Sequence, residues 1–307
     1  MPRYIFGRAI QSLVCLLVVS VVVFYAARLT GDPTVLLLSE MATTEDAARL
    51  KKHLGLDEPI PVQYALFLTH AVRGDLGEST RLHRPVIEVL AARLPASLEL
   101  GGVAIVLSLL LALPIGVYAA AKRGTMIDVA GQMLAVFGQS MPLFWLGLML
   151  MLIFAVWLGW VPVAGRGTAL NYILPALTMA WATTAAIMRL TRSAMLEVLD
   201  SEYIKLARIK GLPEWKVVWK HAFKNALLPV VTFSILLFAE MIAGAIVTET
   251  VFAWPGVGQL LISSVYYRDF PMVQGTVLLL SILFILGNFG VDILYAYLNP
   301  KIRYSRE

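Results

Sequence analysis

Cysteine is almost missing from this sequence of 307 residues, because Cys15 is the only one. A single cysteine excludes a disulfide framework and a thiolate cluster for zinc or an iron–sulfur centre. Charge is scarce as well: 15% of the residues are charged, whereas 59% are hydrophobic. With a mean hydropathy of +0.78, this composition is not that of a soluble globular domain and predicts a polytopic protein in a lipid bilayer.

Motifs for hydrolytic and metal chemistry are also missing. The phosphate-binding pattern GxxxxGK(S/T) does not occur, so we do not expect this chain to hydrolyse ATP in the P-loop manner. HExxH and GxSxG are absent, and the four histidines fall in predicted loops, which argues against an intramembrane protease or a histidine proton relay. We expect no metal site and no cofactor, and no groove-reading module indicates nucleic-acid binding.

Six apolar stretches are long enough to cross a hydrocarbon core of about 30 Å as helices. They comprise residues 9–27, 100–121, 129–165, 167–188, 225–248 and 270–291. The first follows Arg3 and Arg8 as in a signal peptide, but its length and the lack of a cleavage pattern predict a retained anchor. The third is too long for one straight span, and we predict one helix bent near Pro142, followed by an interfacial segment with Trp157 and Trp160.

The basic residues are sorted by loop, which predicts the orientation of the chain. With six spans and both termini in the cytoplasm, the inner side carries most of the Lys and Arg, and a seventh span would break this sorting. The outer segment 30–95 is predicted to fold, with one short helix ending near Gly55 and another over residues 62–72. It is either a small cap on the helices or a docking platform for an external partner.

Residues 202–230 form a basic insert between two predicted spans. Its positive charges are Lys205, Arg208, Lys210, Lys216, Lys220 and Lys224. Gly211 permits a turn and Pro213 can open a helix but not continue one, so these residues predict a break between two short helices. The insert is therefore predicted to be a helix-turn-helix knob in the cytoplasm.

Ionisable residues within or beside the spans are few, namely Glu99, Glu240, Glu249 and Asp292. Such residues are costly in hydrocarbon and normally face a bundle interior or a watery cavity. Each is either part of a translocation path or a structural hydrogen-bonding group. Glu240 is the better path candidate, near the middle of its predicted span, while Glu249 is predicted at the outer end.

Several motifs occur in an order that matches one known family. They are Gly31-Asp32-Pro33, LGLDEPIPVQY, GDLGES, LPASLEL, VFAWPGVGQLL and LNPKIRY. With the basic insert, the chain resembles over nearly its whole length the permease subunits of bacterial ATP-binding-cassette (ABC) importers of the dipeptide, oligopeptide and nickel group. Ala207 and Gly211 match the Glu-Ala-Ala, three residues, Gly pattern of the general coupling loop, and the other positions deviate in the manner of the peptide branch.

This resemblance implies the fold class: an all-α polytopic membrane protein with six transmembrane helices, the type I ABC importer permease fold and a small periplasmic cap. It implies a bacterial inner-membrane location with both termini cytoplasmic. The implied segments are 1–94 for the first helix and cap, 95–297 for the ABC transmembrane domain with its coupling loop at 193–228, and 298–307 for a cytoplasmic tail.

The resemblance also implies which residues carry the function. The ATPase-coupling residues would be Glu202, Tyr203, Ala207, Arg208, Lys210 and Gly211. Ile204, Leu206 or Ala207 would give the docking helix its apolar face, with Tyr203 as aromatic anchor and Arg208 and Lys210 at the rim. A re-entrant turn over residues 251–261 adds Trp254 to Glu240 and Glu249 as path candidates.

The implied function is that of a permease subunit of an ATP-driven importer. It would form a path for dipeptides or oligopeptides with a second homologous permease, together with two ATPase subunits that bind the ATP and an external solute-binding protein. Nickel, glutathione or an oligosaccharide are alternative cargoes. Two other classes stay open: a stand-alone ion-coupled secondary transporter, and a membrane-bound enzyme with its site in the outer cap, where His53, His70 and His83 lack metal-ligand spacing.

Overall fold

The computed structural model describes residues 2–29 and 57–298. Every regular element in these ranges is a helix, apart from an isolated bridge that pairs Glu78 with Pro85. The all-α fold class is therefore confirmed for the described part of the chain. The predicted helix ending near Gly55 and most of the predicted tail lie outside the described residues, and the predicted borders at 94 and 298 stay predictions.

We number the helices of the described residues in chain order. They are α1 (Pro2–Leu29), α2 (Ile60–Val72), α3 (Val86–Ala121), α4 (Met126–Ser140), α5 (Leu143–Leu150), α6 (Ile173–Leu199), α7 (Glu202–Ile209), α8 (Glu214–Lys216), α9 (Phe223–Gly244), α10 (Ile246–Val251), α11 (Val257–Tyr266) and α12 (Phe270–Leu298). Wider π-helical turns continue α5 over Met151–Trp157 and α8 over Val217–Ala222, and a 3-10 turn, Ala169–Tyr172, precedes α6.

Five segments of the described residues are long and apolar enough to cross a membrane. They are Ile5–Arg28, Val86–Ala121, Ala169–Leu199, Glu214–Ile242 and Phe270–Ile293. The pair α4 and α5 makes a sixth if it counts as one broken span, which agrees with the six predicted from the sequence. The helix predicted over residues 62–72 is also present, as α2.

The break between α4 and α5 lies at the predicted place but is larger than predicted. Their axes meet at 103°, so the chain turns rather than bends at Pro142. Met141 and Pro142 both have extended backbone, with ψ angles of 130°. The physical reason is that a proline disfavours the helical conformation of the residue before it, and here two consecutive residues leave the helix.

One compact unit comprises residues 98–254 and 290–307. Within it α6 packs against α4, α5 and α9. A small residue also lets α3 approach α6 closely: a Cβ atom on Gly116 of α3 would lie 2.8 Å from the carbonyl oxygen of Met188. Such close backbone contact is how helices associate in a bilayer, where apolar burial gives no advantage over lipid.

The other compact unit comprises residues 1–97 and 255–289. Its helices α1 and α2 meet through the ring of Phe24, which contacts those of Tyr64 and Phe67. Asp269, just before α12, accepts hydrogen bonds from the Ser79 hydroxyl and from the backbone N–H of Thr80. This carboxylate therefore fixes the GDLGES turn to the start of α12.

Candidate functional site

The basic insert folds into two helices separated by a sharp turn, as predicted. Helix α7 ends at Ile209, and Gly211 follows with φ +76°. The N–H of Gly211 donates to the carbonyl of Arg208 at 2.9 Å, and that of Leu212 donates to the carbonyl of Ala207 at 3.3 Å. This is a Schellman motif, in which glycine is favoured because its backbone must adopt the left-handed conformation.

The second helical piece begins directly after the turn. Pro213 lies at the N-cap position with extended backbone, φ −64° and ψ 140°, and α8 starts at Glu214. From there α8, its π-helical continuation and α9 run on without a gap to Gly244. The knob is therefore a direct extension of a membrane-spanning helix, so a force on one acts on the other.

One side of α7 is anchored in a buried cluster. Ile204 is fully buried there. Its buried neighbours in the cluster are Val117, Ala120, Met195, Leu199, Val217, Val218, Ala222 and Ala226. The prediction that Ile204 offers an apolar face to a partner is wrong, because this side chain holds α7 against the spanning helices. Ala207 is half-buried against the same cluster.

The opposite side of α7 and the start of α8 expose large apolar side chains. Leu206 is 55% exposed, Ile209 81% and Trp215 64%. Tyr203 is 45% exposed, and its hydroxyl oxygen accepts a hydrogen bond from the Asn225 amide at 3.0 Å. The sequence reasoning missed Ile209 and Trp215, although their place beside the Gly-Leu-Pro turn could have indicated them.

Two ion pairs fix the charged side chains of the knob. The Arg208 guanidinium donates to both carboxylate oxygens of Glu214, at 2.8 and 3.2 Å, and so spans the turn. This contact raises the pKa of Arg208 above its ordinary value. Lys205 donates to the Glu202 carboxylate at 2.8 Å, which raises the pKa of Lys205. Lys210 is exposed at the end of α7.

An ion pair between partly buried Arg192 and buried Asp128 links α6 to α4 at the end nearest the knob. The guanidinium of Arg192 donates to both oxygens of Asp128, at 2.6 and 2.9 Å. Asp128 also accepts from the backbone N–H of Gly124 and from the Gln132 amide, and only 4% of its side chain is exposed. The charge of the loops predicts that Asp128 and Arg192 both lie on the cytoplasmic side. Their pairing was not predicted, because 64 positions separate them in the chain.

The three path candidates lie in different surroundings. Glu240 is exposed and lines a cleft of about 440 Å³. Because α9 ends at Gly244, Glu240 lies in its last turns rather than at the predicted middle of a span. Glu249 and Trp254 are fully buried, and Trp254 packs edge to face on Tyr172 with ring centroids 4.6 Å apart.

A second cluster of polar side chains lies just before α6 and joins α3 to the loop and 3-10 turn that precede α6. Glu99 accepts hydrogen bonds from the Arg166 guanidinium and from the Tyr172 hydroxyl. The hydrogen bonds of Arg166 to the Tyr172 hydroxyl and to the Glu99 carboxylate raise the pKa of Arg166. Among the described residues, no three His, Cys, Asp or Glu side chains lie close enough together to hold a metal ion.

Two family models match the sequence. The model described as "Binding-protein-dependent transport system inner membrane component" matches residues 112–304. The model for the N-terminal part of the membrane component of such systems matches residues 1–101. Together they cover all the helices described above except the middle of α3.

Curated relatives match over the full length. The glutathione transport system permease protein GsiC of Salmonella typhimurium and that of Pectobacterium atrosepticum are each 43% identical over 99% of this chain and 100% of their own. GsiC of Escherichia coli K12 is 40% identical over the same shares.

Solved structures show a similar fold at low identity. The MetNI methionine ABC transporter, in an inward-facing conformation, matches with a TM-score of 0.57 and 21% identity over 68% of this chain and 96% of that one. A structure described as an amino acid ABC transporter with histidines matches with a TM-score of 0.53 and 14% identity, over 70% of this chain and 94% of that one.

Proposed function

The chain belongs to the inner membrane components of binding-protein-dependent transport systems, and from this premise we propose that it admits short peptides such as glutathione. It is a permease subunit of an ABC importer with the type I fold, and ATP hydrolysis belongs to separate cassette subunits. The single observation that supports the cargo is the 43% identity, over essentially the full length of both chains, to glutathione permeases. Family membership excludes the stand-alone secondary transporter and the cap enzyme.

The partners proposed for this chain follow from what it has and what it lacks. It has one knob with an exposed apolar face and no P-loop, so a second homologous permease and two ATPase subunits would complete the importer. A solute-binding protein would deliver the cargo. The chain itself would need no cofactor, because the ATPase subunits bind the ATP.

The knob is proposed to dock into a groove of one ATPase subunit. Leu206, Ile209 and Trp215 would be the buried anchors of that contact, with Tyr203 beside them and the charged side chains Glu202, Arg208 and Lys210 at the rim. Gly211 and half-buried Ala207 would set the shape of the turn rather than supply contact area.

Transmission of the ATPase movement would depend on rigid attachment of the knob. Ile204 anchors α7, the continuous α8–α9 helix leads away from it, and the Asp128–Arg192 pair joins α4 to the helix that enters it. Closure of the ATPase dimer would then move these helices together and switch the path from outward-facing to inward-facing.

This mechanism requires the knob and both termini to lie on the cytoplasmic side of a bacterial inner membrane. The charge of the loops supports that orientation. Labelling of a cysteine introduced at Lys210, in a Cys15→Ser background, tests it. Membrane-impermeant maleimide should label inverted vesicles and leave intact cells unlabelled.

Uptake of glutathione tests the cargo. Proteoliposomes are prepared with the ATPase subunits and ATP inside, and the binding protein is added outside. They should accumulate labelled glutathione. Omission of the permease pair is the control. Uptake of nickel or an oligosaccharide instead, with no uptake of glutathione, a dipeptide or an oligopeptide, would contradict the proposal.

A further inference from the structure

We propose that the cleft beside the last turns of α9 is the subsite that binds the α-ammonium group of a peptide cargo. The inference rests on the proposed import of peptides and identifies residues of this chain that would recognise them. The polar side chains lining the cleft are Gln139, Thr183, Glu240 and Thr248, and apolar residues of α5, α6 and α9 complete it.

The charge of the cleft selects a cation. Glu240 is exposed there, and it forms no ion pair within the part of the chain that the structure describes. The lining residues include no Lys, Arg or His.

The position of Glu240 at the edge of an apolar span makes the lack of an ion-pair partner in residues 2–29 and 57–298 informative. A carboxylate at membrane depth is costly unless it faces water or pairs with an opposite charge. The other carboxylate on the helices of this unit with a well-defined role, Asp128, has its partner in Arg192. Glu240 is therefore placed to gain its counter-ion from a passing molecule.

The chemistry of these groups fits the amino end of a short peptide. The carboxylate of Glu240 and the amide oxygen of Gln139 are acceptors, and the α-ammonium group of a dipeptide, or of the glutamyl residue of glutathione, offers donors. The apolar remainder of the lining accepts the rest of the molecule without requiring a particular side chain. Such a subsite recognises what all peptides share, so discrimination among them would fall to the binding protein.

The test compares glutathione with its deaminated analogue, which lacks only the amino group. Wild type, Glu240→Gln and the matched surface control Glu197→Gln are reconstituted with the ATPases and the binding protein, and kcat/KM for uptake is measured for both probes. Loss of a charged hydrogen bond predicts that Glu240→Gln lowers the value for glutathione about tenfold or more. Its value for the analogue should equal that of wild type, and Glu197→Gln should change neither.

Equal kinetics of Glu240→Gln and wild type on glutathione would overturn the subsite while leaving the cargo proposal intact. An equal loss on both probes would also overturn it, because the carboxylate would then not act through the amino group. Absence of glutathione uptake by wild type would instead contradict the proposed cargo.

Discussion

Asp128 and Glu240 are carboxylates near the ends of helices in the same compact unit, but the chain treats them in opposite ways. Asp128, beside the knob, is buried and accepts hydrogen bonds from Arg192, Gln132 and Gly124. Glu240, at the far end of α9, is exposed in a cleft without an ion-pair partner among the described residues. In the proposed mechanism, the end that transmits force satisfies its carboxylate internally, and the end that receives the cargo leaves its carboxylate available.

Removal of Asp128 should lower the stability of the importer, whereas removal of the Glu240 charge should not. This difference in stability is the largest effect that we expect. Asp128→Ala removes a buried carboxylate and leaves the partly exposed Arg192 guanidinium without its partner, which costs up to about 3 kcal/mol of stability. Glu240→Gln removes a charge that has no ion-pair partner among the described residues, and it should not lower stability. Melting temperatures of the purified importer in detergent measure both, and equal losses for the two variants would break the comparison.

A charge on the exposed face of the knob should disconnect the ATPase. Ile209→Asp places a carboxylate in the proposed contact and should weaken it by about 2 kcal/mol, the loss typical of an interface hot spot. Co-purification of the ATPase measures the effect. Val72→Asp is the matched control, since Val72 is also 81% exposed but lies on α2. If the two variants retain the ATPase equally well, the exposed face is not the docking surface.

The turn after α7 should depend on the backbone of Gly211 alone. A Cβ atom there meets nothing within 4 Å, so a side chain is opposed only by the φ of +76°. Gly211→Val should cost about 1–2 kcal/mol and lower uptake about tenfold, while the protein stays in the membrane. Gly211→Asn should keep most of the uptake, because asparagine tolerates this conformation. Similar losses in Asn and Val would point to a contact with the glycine itself.

The smallest effect is expected at the rim of the knob. The Arg208–Glu214 pair is exposed, with 42% and 60% of the two side chains accessible, so water and salt screen it. Arg208→Ala should change stability by less than about 1 kcal/mol. Its effect on ATPase co-purification should become smaller as salt is raised from about 50 to about 500 mM, because the Debye length shortens and exposed charges are screened. A large loss that salt does not change would show that Arg208 is buried in the contact.

The comparison also shows which parts of this molecule could be predicted from its sequence. Gly211 and Pro213 act on the backbone next to them, so the turn between α7 and α8 was predicted correctly. Pro142 gave the position of the break between α4 and α5 in the same way. The 103° angle there was not predictable, because it depends on how both helices pack.

Side-chain directions and distant pairs were harder to predict. Eight residues of α7 define an apolar face but not whether it faces a partner or the chain's own core, so Ile204 was misjudged. The Asp128–Arg192 pair joins two helices that are far apart in sequence. The position of Glu240 was misjudged because the span was drawn through to residue 248, whereas α9 ends at Gly244.

In the proposed importer, the knob formed by α7 and the start of α8 docks into the ATPase subunit. The most direct test is a cross-link from Ile209→Cys in a Cys15→Ser background, with the assembled importer as sample. We expect Ile209→Cys to cross-link to a subunit that hydrolyses nucleotide. Val72→Cys, the control, should give no such cross-link. Exclusive cross-linking of Ile209→Cys to the second permease or to lipid would contradict the account.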